Sequence, residues 1–330
     1  MSTGSETSVA VTVDNFVRAE SDTYFRKAAG RSGVGVLHHA RVPTRVEEQS
    51  VVRMNRDTLY SSGVVDVEAG PVTVHLPDSD GRFLSLMPVS QDHYTTGCVY
   101  GAGPHTFTRE LIGTRYAGIV VRTLVDPENA DDVAAVHALQ DAIRIDTPVV
   151  GAPLEAPNWD QASLGIVRDT LRRMSPALAY LPGASFGTRV EVNPLRHLIG
   201  TAGGWGGNPP RDARYMSVFP EQADGSTPYR LTVGDVPVHG FWSISVYNAD
   251  GYFERNEQHA YSINNLTAVR NDDGTITVQF GGEPGDAPNQ LPITPGWNYV
   301  VRMYRPHRAV LEGGWTFPRA EVVGGSCPRG

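Results

Sequence analysis

Two hydrophilic stretches of this 330-residue chain gather side chains that can move protons. The first is Arg53-Met54-Asn55-Arg56-Asp57-Thr58-Leu59-Tyr60-Ser61-Ser62 and the second is Gln91-Asp92-His93-Tyr94. An arginine can hold a carboxylate or phosphate through two parallel hydrogen bonds while a neighbouring acid or phenol gives or takes a proton. Asp57, Tyr60, Asp92 and His93 are therefore the candidate catalytic residues, and Asn55, Arg56 and Tyr94 are candidates for substrate binding. A carboxylate next to His93 would orient the imidazole and make it more basic. Successive residues of a strand face opposite ways, so Asp92 and His93 can serve one pocket only where the segment is bulged or looped. Each stretch also has a plain structural explanation: an Arg-Asp network bracing a β-corner, and a capped strand end with an exposed histidine.

Further along, Gly203 to Pro210 (GGWGGNPP) reads as a glycine-rich linker, with Trp205 either walling a pocket or packing between domains. In FWSISVYN, alternation puts Trp242, Ile244 and Val246 on one face and Ser243, Ser245 and Tyr247 on the other. Arg302, a further substrate-binding candidate, shares a face with Tyr304 on another strand. That face could line the same cavity or be solvated. Gly183-Ala184-Ser185-Phe186-Gly187 fits the G-x-S-x-G string of a nucleophile elbow, which needs a buried strand before it and a helix after it. A Tyr-Leu-Pro segment precedes Ser185 instead, so the string reads as a loop. His38, His39 and His197 form no H-x-x-x-H or H-E-x-x-H pattern, so no metal ligands are assigned, although histidines from dispersed segments leave a metal-dependent variant open.

The elements that must position these groups are mostly short strands. Residues 14 to 29 suit a helix capped by Asp14, with Phe16, Ala19, Tyr24 and Ala28 roughly on one side. PVTVHLPDSDGRFLSLMPV reads as a hairpin turning at Asp78 to Gly81, and YAGIVVRTL as a strand buried on both faces. Helices follow from Asp126-Pro127-Glu128, from the Asp160 cap, and from Asn193 with Pro194 in the first turn. After Pro228, YRLTVG, FWSISVYN, TITVQF and NYVVRMY are strands, with a turn at Asn271 to Gly274. The expected organisation is an N-terminal helix and crossover loop (1–44), a β-sandwich (45–125), a helical segment with linker (126–215) and a jelly-roll-like β-domain (216–330).

Composition narrows the classes. A hydrophobic content of 40% with 19% charged residues supports a packed core, and 35 glycines with 24 prolines suit many tight turns. A net charge of -8 and the lack of a basic cluster argue against a nucleic-acid partner. Lys27 is the only lysine, so positive charge is nearly all arginine. The start shows no basic and apolar leader, no run is long enough to span a bilayer, and a cytoplasmic location is expected. Cys98 and Cys327 are read as a buried small hydrophobe and a tail thiol.

MNRDTLYSSGVVDVEAGPVTVHLPD with GRFLSLMPVSQDHY resembles the bacterial domain of unknown function 1254. YRLTVGDVPVHGFWSISVYN with NQLPITPGWNYVVRMYRP and LEGGWTFP resembles its partner, domain of unknown function 1214, and HLIGTAGGWGGNP at His197 to Pro209 is also similar to the family. The resemblance covers about residues 10 to 323. It implies a mainly β fold with a helical middle segment: an N-terminal β-sandwich, the helical segment, and a C-terminal jelly-roll-like sandwich. The family's polar signature falls on Asn55, Asp57, Thr58, Tyr60, Ser61, Asp92, His93 and Tyr94.

The expectation is a soluble enzyme acting on a small polar or carboxylated molecule by acid-base chemistry, with hydrolysis as the candidate reaction and no cofactor. The alternatives are a non-catalytic small-ligand or carbohydrate-binding β-protein and a metal-dependent enzyme. A small-molecule ligand is the expected partner, without nucleic acid or membrane, and a homo-oligomer is compatible with the chain.

Overall fold

A computed structural model describes residues 8–49, 52–285 and 287–324. Cys327 lies outside them. Contacts divide the chain into two compact units that are not consecutive in sequence. The first takes the chain up to Arg41, Leu59–Val125 and Ala130–Pro210; the second takes Val42–Thr58, Asp126–Asn129 and everything from Arg211 on.

In the first unit the elements are α1 (Phe16–Ser32), β1 (His38–His39), β2 (Thr58–Asp66), β3 (Val72–Leu76), β4 (Leu84–Ser90), β5 (Gly103–Phe107), α2 (Arg109–Ile112), β6 (Tyr116–Leu124), α3 (Ala130–Ala142), β7 (Arg144–Asp146), α4 (Gln161–Arg173) and α5 (Pro194–Gly204). Two sheets, ordered β1-β2-β6-β4 and β5-β3-β7, share one core of Val65, Val72, Val74, Leu86, Ile119 and Val121, which makes them a sandwich. As its apolar run predicts, β6 is buried along nearly its whole length.

The expected hairpin is not formed. β3 pairs with β5 and β7, whereas β4 pairs with β6, so the Asp78 to Gly81 turn carries the chain from one sheet to the other. The burial patterns explain the split: β3 alternates buried and half-exposed residues, while all seven residues of β4 are buried and belong beside the fully enclosed β6. Asp80 and Gly81 take left-handed backbone at the corner, at φ 47° and 78°.

α1, α4 and α5 pack Phe16, Ala19, Leu164, Leu171, Ile199 and Ala202 into a second core. α4 starts where its sequence indicates, with Asp160 accepting the Ser163 N–H, and Asn193 caps α5 through the Leu195 and Arg196 N–H groups. Three details differ from expectation. Asn15, not Asp14, stands at the start of α1. α3 begins only at Ala130, because Asp126 closes a turn with the Glu128 and Asn129 N–H groups instead of capping a helix. α5 runs through Gly203 and Gly204, so the linker starts at Trp205.

In the second unit are β8 (Ala213–Val218), β9 (Tyr229–Val233), β10 (Trp242–Tyr247), β11 (Ser262–Asn264), β12 (Ile276–Phe280), β13 (Gln290–Leu291), β14 (Asn298–Tyr304), α6 (Arg308–Leu311) and β15 (Glu321–Val322). The sheets β11-β10-β14-β8 and β13-β12-β9-β15 close over Trp242, Ile244, Val278, Phe280, Trp297, Tyr299 and Val301. All four sequence-identified strands are present. The Asn271 to Gly274 turn is closed by the Gly274 N–H on the Asn271 carbonyl.

Candidate functional site

In the first unit the residues after β4 form a tight turn, closed by hydrogen bonds from His93 N to Ser90 O and from Ser90 N to Tyr94 O. His93 sits in left-handed backbone at φ 60°, which is uncommon outside glycine. This loop is what lets Asp92 and Tyr94 leave the strand alternation. Both line one cleft of about 220 Å³ together with Pro88, Ser90, Thr95 and Ile112. Thr188 and Arg189, from the loop after the GASFG string, complete its other side.

Asp92 is half-exposed and takes the guanidinium of Arg18, on α1, at 2.9 and 2.6 Å. Tyr94 stacks on His197 of α5 with ring centroids 4.6 Å apart, and its hydroxyl makes no hydrogen bond to another described residue. A cleft of this size has room for several waters. It fits a small molecule and is below the roughly 300 Å³ at which drug-sized pockets begin.

His93 is not part of the open surface. It is buried, and both ring nitrogens are engaged: the Gly206 N–H donates to Nε2 at 2.8 Å, so Nδ1 carries the hydrogen and meets Thr201 Oγ1 at 2.7 Å. Burial and the neighbouring His197 push its proton affinity well below the ordinary histidine value. With both nitrogens hydrogen-bonded, His93 braces the β4 turn against α5 and the residues that follow it. Trp205 continues the stack on His93 at 5.3 Å, lies against Tyr24 at 4.5 Å and donates its indole N–H to Ser21. Lys27 lies over the Tyr24 ring at 5.8 Å. Tyr60 lies under the guanidinium of Arg122 at 5.5 Å, and that guanidinium also donates to Gly206 O.

The GASFG string is a loop, as its flanks indicate. Its role is packing: a Cβ on Gly207 would stand 2.3 Å from the Phe186 ring, and one on Gly200 would stand 2.8 Å from Ser185 Cβ.

Asn55, Arg56, Asp57 and Arg302 fall in the second unit. The polar face foreseen on β10 and β14 is buried there: the guanidinium of Arg302 donates to Ser245 Oγ, to Tyr247 Oη and to the carbonyls of Arg53 and Met54. Burial works against the Arg302 charge, but Tyr247, Tyr304 and Asp57 outweigh it and raise its proton affinity. Asp57 Oδ1 accepts from Ser262 at 3.2 Å and Asn264 at 3.1 Å, while Oδ2 and the nearby Ser243 Oγ have no well-formed hydrogen bond. Burial pushes the Asp57 carboxyl up, against the pull of Arg302. Asn55 bridges Thr58 and Tyr304 and accepts the Asp57 N–H. Arg56 donates to Thr44 O and lies against Tyr261 and Phe253.

Sequence reasoning missed two groups. Arg18 was not singled out, although its position four residues before Asp22 on a helix marks a polar stripe that burial confirms at Ser21 and Asp22. His197 was weighed only as a metal ligand; its spacing of four from Thr201 was the signal that both face one partner, His93. Among the described residues no three His, Cys, Asp or Glu side chains converge on a metal position, and no helix is long and apolar enough to cross a membrane.

Residues 34–110 match the family model of the protein of unknown function DUF1254, and residues 220–308 that of DUF1214. No functionally curated protein matches the chain. Among solved structures, the VPA0106 protein from Vibrio parahaemolyticus is similar over 94% of this chain and 97% of its own, at 19% identity and TM-score 0.70. An uncharacterized protein from Burkholderia cenocepacia is similar over 89% and 84%, at 14% identity and TM-score 0.53. These likenesses show a shared fold. With the two matches in the order that its motifs indicate, the chain belongs to the proteins that carry DUF1254 followed by DUF1214.

Proposed function

We propose that the first unit binds a small, polar, hydrogen-bonding molecule in the cleft between the β4 turn and the loop at Thr188. The supporting observation is the joint presence there of a carboxylate fixed by Arg18 and of Tyr94, whose ring is held by stacking while its hydroxyl is left without a described partner. Apolar contact from Pro88 and Ile112 beside hydroxyl groups is the usual composition of a small-ligand site. This is the binding alternative, favoured over hydrolysis because His93 has no free nitrogen.

Calorimetric titration of the full chain with a panel of small carboxylates, polyols and amino acids tests it. The expected result is saturable binding by at least one class, no product formed, and about a tenfold weaker Kd, or roughly 1.4 kcal/mol, in Tyr94→Phe and Asp92→Asn. Binding that neither substitution changes would place the ligand elsewhere.

A second reading keeps acid-base chemistry for Asp57. The observation in its favour is a buried carboxyl whose Oδ2 has no well-formed hydrogen bond and whose proton affinity is raised by burial, since perturbed acids cluster at functional sites.

A further inference from the structure

His197 makes contacts of an unusual kind for a buried histidine. Its Nδ1 lies 3.1 Å from the carbonyl oxygen of Ser185, and its Nε2 lies 3.0 Å from the carbonyl oxygen of Asp92. A carbonyl oxygen only accepts, so each contact is a hydrogen bond only when that nitrogen bears a hydrogen. A ring satisfied on both sides is the imidazolium.

We propose that His197 is a positioning residue for the cleft: a doubly protonated imidazole that ties the turn carrying Asp92 and Tyr94 to the loop that runs from Ser185 to Thr188 and Arg189. The functional use of this tie rests on the binding role of the cleft, but the tie itself does not.

The groups around the ring fit a charge. Tyr94 covers one face at 4.6 Å with planes 10° apart, and an aromatic face attracts a cation. His93, stacked at 5.5 Å, is the opposite case, since the Gly206 N–H fixes it as neutral. On α1, Arg18 is locked to Asp92 of the β4 turn, Glu20 is locked to Arg168 of α4, and Asp22 accepts from Gln91 and Trp159. Arg196, next to it on α5, turns its guanidinium to the Leu178 and Leu181 carbonyls. Glu191, in the loop, accepts from Thr188 N and Oγ1 at 2.8 Å. The carbonyl of His197 itself takes the Thr201 hydroxyl, which connects the two histidines through one helical turn.

Loss of one hydrogen at higher pH would set a nitrogen lone pair against a carbonyl oxygen, and one of the two ties would go. The cleft walls would then be joined from one side only.

Nitrogen-15 NMR of the ligand-free full chain, labelled at histidine, reads this directly. At about pH 6, within the range where histidines titrate, His197 is expected to show imidazolium shifts at both ring nitrogens, while His93 shows one neutral tautomer. After correction for the base-catalysed rise of intrinsic exchange with pH, protection at residues 90–96 and 185–189 is expected to fall at least tenfold between about pH 6 and about pH 8, and His197→Phe, which keeps the stack on Tyr94, should show the low protection at every pH. A single neutral tautomer for His197 at pH 6 would overturn the proposal. So would corrected protection in the two segments that is the same at both pH values. Both wild-type measurements stand if the variant fails to fold, and neither needs a ligand, so failure of the binding role would be seen separately.

Discussion

The cleft at Asp92 and the cluster at Asp57 use similar side chains in opposite ways. Each pairs a carboxylate with arginine and tyrosine. In the first, Arg18 and Asp92 are about 40% exposed and border open volume. In the second, Arg302 and Asp57 are buried, and strand-held hydroxyls and carbonyls take up the guanidinium. The contrast teaches that type and spacing do not separate an open cleft from a buried brace. What separates them is how many polar atoms remain after the protein has satisfied its own.

The comparison is broken most strongly at Arg302. Arg302→Met should remove four donor contacts and leave Asp57 without its compensating charge, at a cost of about 3 to 5 kcal/mol. A large fall in the urea midpoint is the expected outcome, and a fall below about 1 kcal/mol would mean that the cluster is not a brace. The next test sharpens it at Asp57. A carboxyl whose folded proton affinity is raised binds more protons folded than unfolded, so its contribution is full below the unfolded value near pH 4 and is lost as pH rises through the folded one. Asp57→Asn should therefore be at least as stable as the parent at pH 7, by up to about 2 kcal/mol, and the advantage should vanish on acidification. Denaturation of both proteins across pH 4 to 8 measures it, and an advantage that grows in acid would reverse the sign. The smallest effect belongs to the exposed pair. Arg18→Ala should cost less than about 1 kcal/mol, because solvent screens half-exposed ions, while still weakening any ligand held through Asp92.

Much of the fold was legible. The period-two runs at 229–233, 242–247, 276–280 and 298–304 are strands, and alternation alone placed Ser243, Ser245 and Tyr247 on one face with Arg302 nearby. The Asp78 to Gly81 turn was misread as a hairpin because alternation identifies a strand without saying which sheet it joins. The candidate cleft was legible on one side: the sequence marks Asp92 and Tyr94, but the opposite side comes from Thr188 and Arg189, about 95 residues away, which no local pattern connects. The burial of His93 is not legible for the same reason, since the Gly206 N–H and the Thr201 hydroxyl that occupy it lie more than 100 residues downstream.

Lys27 is the chain's single side-chain amine, and it stands over Tyr24, which lies against the indole of Trp205. Acylation of amines would thus modify one side chain, on α1 beside that indole, distinguishable from the terminal amine by mass spectrometry of the Lys27 peptide. The rate at which Lys27 reacts would report on the packing that carries His93 in the unaltered sequence.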